Sequence, residues 1–124
     1  MIRYKYYNNN PFGRHVSDCS VRAIALATER TWDETYKELA DFGRKEGITF
    51  SEIEFIDEYL AKRYPSYCQD PKHRVITLQD FLELNLQGRW LVTMSGHITA
   101  VIDGICYDTF NPSDRYIWCI YKVR

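Results

Sequence analysis

Up to Gly88 the apolar positions of the chain recur mostly at helical spacing; beyond it they fall into short β-branched and aromatic runs. From Asp18 to about Glu29, Val21, Ile24, Ala25 and Thr28 recur along an Ala-rich stretch that predicts a first helix, with Asp18 or Ser17 as N-cap. Thr31-Trp32-Asp33-Glu34 reads as a capping box opening a second helix through Tyr36, Leu39, Ala40 and Phe42, which ends near Gly43 or Gly47. Ser51 to Tyr64 repeats the pattern, with Ile53, Ile56, Tyr59 and Leu60 on one face and Pro65 just beyond the end. Tyr67 to His73 is a polar connector, Val75-Ile76 a short strand, and Thr77 to Asp80 the start of a short helix through Phe81, Leu82 and Leu84.

Arg89 to Met94, His97 to Ile102, Ile105 to Thr109 and Tyr116 to Val123 read as strands separated by turns. Asp103-Gly104, between two apolar runs, is a two-residue hairpin signal. The first eighteen residues read as irregular, with a loop of turn formers over Asn8-Asn9-Asn10-Pro11-Phe12-Gly13. The expected fold class is α+β, with N-terminal helices packed on a C-terminal antiparallel sheet in one domain over residues 1–124.

That pattern places a thiol and an imidazole at informative points. Cys19 falls in the first turn of the first helix, where the free amides and the helix dipole favour a thiolate. His97 opens a strand, where it could serve as the neighbouring imidazolium that stabilises the same form. A two-residue turn at Asp103-Gly104 sets Ile102 opposite Ile105 and Thr99 opposite Asp108, so His97, Thr99 and Val101 share a face with Cys106, Asp108 and Phe110. Asp108 then lies diagonally across from His97, at about 7–8 Å between backbones, within side-chain reach. Its carboxylate can accept from one ring nitrogen and leave the other for Cys19. Asn111, just past the strand end, competes for that role if a bulge shifts the register.

Composition narrows the alternatives. A chain of 124 residues buries a core without needing a disulfide or metal. The net charge of −1 carries no electrostatic footprint for nucleic acid or an acidic membrane surface. The four cysteines, at 19, 68, 106 and 119, form no CxxC pair, so no metal and no cofactor are expected. With no apolar leader and no stretch near the ~20 apolar residues of a membrane span, the expected setting is cytoplasmic, with reduced thiols. Cys106 reads as core, Cys68 and Cys119 as structural or exposed bystanders, and His15 and His73 as solvated loop residues. Trp32, Trp90 and Trp118 read as core, and Arg115 as an alternative partner for Asp108.

Cys at the start of the first long helix, Gly96-His97 opening a strand and a polar residue on the next strand resemble the papain-like cysteine peptidase superfamily. The segment from His97 through Asp108 to Phe110 is similar to the His and Asp region of ubiquitin-like-protein proteases and Josephin-type domains. Asp18 to Ile24 resembles small phage and bacterial proteins carrying the same two blocks. The resemblance implies a papain-like core, with Cys19 as nucleophile, His97 as base and acid, and Asp108 or Asn111 as orienting group. It implies a peptide or protein substrate, cleaved at a peptide, isopeptide or other amide bond through a thioester. The family's usual Gln upstream of the nucleophile is missing here. Asn10 and His15, or Asn8, Asn9 or Arg14, stand as candidates for the oxyanion donor beside the Cys19 amide. The alternative function is an inactive papain-like binding module or a phage or mobile-element accessory protein.

Overall fold

The structure, a computed structural model, describes residues 2–50, 54–73 and 76–124. Its class is α+β. Helix α1 (Cys19–Thr28) buries Val21, Ala23, Ile24, Ala25 and Ala27, the small residues letting it lie close on the sheet. Helix α2 (Trp32–Glu46) opens on the expected capping box: the Thr31 hydroxyl accepts from the Glu34 amide at 3.0 Å, and Glu34 accepts from the Thr31 amide at 2.9 Å. It closes at Gly47, whose φ of 73° suits a residue without Cβ.

Helix α3 (Phe55–Ala61) is shorter than the pattern predicts. The Arg63 and Tyr64 amides both turn back to the Leu60 carbonyl, and Pro65 cannot continue the helix. Ile53, on that pattern's apolar face, lies outside the described residues, as does Val75 of the expected short strand. Helix α4 (Leu78–Glu83) starts from a second capping box, Thr77 with Asp80.

The strands are β1 (Tyr4–Tyr6), β2 (Ser66–Cys68), β3 (Arg89–Met94), β4 (His97–Ile102), β5 (Ile105–Asp108) and β6 (Ile117–Lys122). They form one mixed sheet in the order β1-β5-β4-β3-β6-β2. The four central strands pair antiparallel as expected. Two corrections lie at the edges. The N-terminal stretch read as irregular contributes β1, parallel to β5 with Tyr6 beside Asp108; the connector contributes β2, antiparallel to β6. Both are three-residue segments without an apolar alternation of their own, and the open sheet edges satisfy their backbone groups.

Cys68 and Cys119 face each other across β2 and β6 and form a disulfide, contrary to the expectation of reduced thiols throughout. The register brings the two side chains onto one face, which sequence spacing alone does not reveal.

The sheet separates two apolar clusters. Leu91, Ile98, Ala100 and Tyr121 pack under α1, α2 and α3, whereas Val92, Met94, Val101, Cys106 and Ile117 pack with α4. Adjacent residues of β3 and of β4 divide between the two faces, the alternation a sheet covered on both sides requires. Among the described residues, no helix is long and apolar enough to cross a membrane.

Candidate active site

Cys19 is the first residue of α1 and is half-buried. Asp18 occupies the N-cap position, yet its side chain makes no capping bond to the helix amides. It is drawn instead into a polar cluster, accepting from Arg22 Nε at 2.7 Å, Trp32 Nε1 at 2.9 Å and Asn10 Nδ2 at 3.1 Å. The first turn of α1 therefore lacks the side-chain acceptor that usually covers a helix start.

The hairpin delivers the other two groups. Asp103 and Gly104 both take positive φ, 50° and 81°, and form the two-residue turn that pairs Ile102 with Ile105 and Ala100 with Tyr107. On that register His97 Nε2 donates to Asp108 Oδ2 at 2.6 Å, with side chains only 6% and 2% exposed. A carboxylate can only accept, so Nε2 carries the hydrogen and Nδ1 is left free for the Cys19 sulfur, whose ionised form His97 favours. The Phe110 ring packs on His97 with centroids 4.7 Å apart and covers one side of the imidazole. Arg115 lies over Phe110 rather than pairing with Asp108.

Asp108 is held at every oxygen. Oδ1 accepts from the Thr109 amide at 2.7 Å and from Arg22 Nη1 at 3.2 Å. Its main-chain carbonyl accepts from the Tyr7 amide at 2.9 Å and the Tyr4 hydroxyl at 3.0 Å, so β1 fixes the backbone beneath the carboxylate. The Thr99 hydroxyl favours the ionised carboxylate and lies 3.2 Å from Cys106 Sγ. Burial pushes that thiol up to about 12, so Cys106 stays protonated and belongs to the core, as its place in the strand suggested.

The charges follow from these contacts. Burial alone would raise the Cys19 thiol, but the hydrogen bond and charge of His97, the Ile98 amide and the charge of Arg22 hold it below the usual value. Burial would lower His97; its bonds to Asp108 and Cys19, and their charges, outweigh that and raise it to about 9. Asp108 and Asp18 both resist burial and stay below the ordinary carboxylate range, Asp108 through His97, Asp18 through Arg22, Asn10 and Trp32. The arrangement can therefore hold a thiolate–imidazolium pair near neutral pH.

No family model, curated protein or solved structure matches this chain.

The remaining sequence candidates lie apart from the sulfur or are otherwise engaged. Asn111 caps a turn, accepting from the Ser113 amide at 3.1 Å, and leaves Asp108 as the partner of His97. Asn10 is buried, but its amide donates to Asp18, and its carbonyl oxygen accepts from the Phe12 and Arg14 amides; it organises the loop. Asn8 bonds the Asn10 amide and the Arg14 carbonyl, and Asn9 donates to the Arg22 carbonyl. His15 and Arg14 are exposed. A cavity of about 10 Å³ between Cys19, Ile98 and Asp108 is too small for a substrate group. A larger one, about 470 Å³, adjoins it at Tyr7 and Leu26 and reaches Trp32, Asn9 and Arg89.

Sequence reasoning missed Arg22, Thr99, Tyr4 and Trp32. Asp18 and Arg22 at i,i+4 on one helix were a readable ion pair. The contacts of Tyr4 and Trp32 depend on tertiary packing, and no local spacing encodes them.

Proposed function

We propose that this protein is a cysteine hydrolase of the papain-like type, acting on a peptide, isopeptide or related amide bond. The observation that carries the reading is the 2.6 Å bond from His97 to Asp108, beside a Cys19 that opens a helix and whose ionised form His97 favours. Two strand residues and a helix residue of that chemistry converge in a nearly buried setting where each favours the charged form of the next.

The chemistry follows from those roles. The Cys19 thiolate attacks the acyl carbon, and the carbonyl oxygen takes the negative charge beside the uncovered amides at the start of α1. His97 gives its Nδ1 proton to the leaving amine as the C–N bond breaks, and a thioester remains on Cys19. Water then loses a proton to His97 and attacks the thioester; the proton returns to sulfur, and the acid is released. Asp108 keeps the imidazole in one orientation and tautomer throughout.

A second reading, an inactive binding module on the same scaffold, draws on the engagement of the Asn10 amide with Asp18 and on the exposure of His15. Alkylation separates the two: Cys19 should react with iodoacetamide at about pH 6 at least tenfold faster than an unstructured cysteine peptide. His97→Ala should abolish the advantage. Equal rates, or a rate indifferent to His97, would overturn the hydrolase reading.

A further inference from the structure

The structure carries a second ionic arrangement behind the reacting pair, and it centres on Arg22. This guanidinium spans two buried carboxylates: Nε to Asp18 at 2.7 Å and Nη1 to Asp108 at 3.2 Å, with its own side chain 11% exposed and theirs 7% and 2%. Through Asp108 the chain of contacts continues to His97, whose charge in turn favours the Cys19 thiolate. Signs alternate along it, from Asp18 (negative) through Arg22 and Asp108 to the imidazolium and the thiolate.

Without Arg22 the balance would be wrong for a thiolate. Asp18 directly precedes Cys19, and Asp108 lies one imidazole away; both charges oppose a further negative charge on sulfur. His97 offsets one of them, and the remaining carboxylate needs a cation that cannot leave for solvent. The other groups facing the cluster do not supply it. Cys106 stays protonated on β5, Tyr4 on β1 offers a neutral hydroxyl, and Asn10 and Trp32 donate to Asp18 without charge. Arg22 also grips Asp108 Oδ1 while Oδ2 receives His97, which restrains rotation of the carboxylate. Its fork can meet two acceptors at once, which a single ammonium does less well.

We propose that Arg22 is a positioning residue of the Cys19 site, holding Asp108 toward His97 and neutralising the carboxylate of Asp18 so that the adjacent sulfur can remain a thiolate. This deepens the hydrolase reading and rests on it. Asp18 is then the anchor of Arg22 and not a helix cap, which accounts for its missing capping bond.

The test is the pH dependence of Cys19 alkylation, read by mass spectrometry on the Cys19 peptide of folded full-length protein, with circular dichroism as the folding control. Arg22→Gln should slow labelling near pH 6 by roughly tenfold and move the acid limb upward, and Arg22→Lys should recover much of the loss. The charge-balanced variant Asp18→Asn/Arg22→Gln should label faster than Arg22→Gln alone, an outcome that a merely structural role would not produce. Should Arg22→Gln fail to fold, Asp18→Asn by itself should label at least as fast as wild type. An unshifted profile in Arg22→Gln, a double variant no faster than the single, or slower labelling in Asp18→Asn would overturn the proposal. If wild-type Cys19 shows no enhanced reactivity, the hydrolase reading falls and takes this inference with it. If it does and the Arg22 profile is unshifted, this inference fails alone.

Discussion

At the scale of single residues, burial opposes a charge on both Cys19 and Cys106, and the neighbouring charges then separate them. Cys106 meets a carboxylate and a hydroxyl and stays protonated; Cys19 meets an imidazolium, the Ile98 amide and Arg22. The pair has a definite pH window. It forms as pH rises through the lowered value of Cys19, and it is lost as pH rises through about 9, where His97 gives up its proton. Asp108→Asn should narrow that window from the alkaline side, because an amide can orient His97 without stabilising its charge. We expect the His97 midpoint, followed by NMR of the ring carbons, to fall well below 9, and alkylation of Cys19 near neutral pH to slow by at least about tenfold. An unchanged midpoint would show that Asp108 is not the partner that sets it. Cys19, His97 and Asp108 were all legible in the sequence, because each stands at the start or end of an element with a strong local signal. Arg22 was half legible, through its spacing from Asp18.

At the scale of elements, the hairpin at Asp103-Gly104 sets the position of Asp108. Its register could be counted from the sequence, since a two-residue turn with two positive φ angles permits one pairing of the flanking strands. The capping boxes at Thr31 and Thr77 were equally plain. β1 and β2 were not, because three residues carry no period and their pairing is with strands distant in sequence. This separates two kinds of substitution. Gly104→Ala introduces a Cβ 2.5 Å from Asn85 Oδ1 in left-handed backbone, and should cost about 1–3 kcal/mol. Because the turn also fixes Asp108, the variant should slow Cys19 labelling as well. Thr77→Ala removes the cap of α4, on the face of the sheet away from α1, and should cost about 1 kcal/mol with labelling unchanged. Urea denaturation paired with alkylation reads both effects. Equal labelling in Gly104→Ala and wild type would mean that Asp108 keeps its place without the turn, through β1 alone.

At the scale of the whole molecule, the sheet sets the Cys19–His97–Asp108 cluster and the disulfide at opposite sides. Cys19, His97 and Asp108 gather at β4, β5 and the start of α1, while Cys68 and Cys119 tie the far edge strand, β2, to β6. The bond closes a sequence separation of 51 residues, which includes α4 and the strands β3 to β5. Restricting the unfolded chain over such a loop is worth about 4 kcal/mol in the chain-entropy account. A domain of this size has only about 5–15 kcal/mol of net stability, so the bond is a large part of it. Yet β2 pairs with β6 at the far edge of the sheet, and β6 is separated from β4 by β3. Stability and reactivity should therefore come apart. In Cys68→Ser/Cys119→Ser the urea midpoint should fall by an amount equivalent to about 2–4 kcal/mol, while folded protein labels at Cys19 at the wild-type rate and with the wild-type pH profile. A matching loss of Cys19 reactivity under conditions where the variant is still folded would mean that the two edges of the sheet are coupled, with β3 as the strand that joins them.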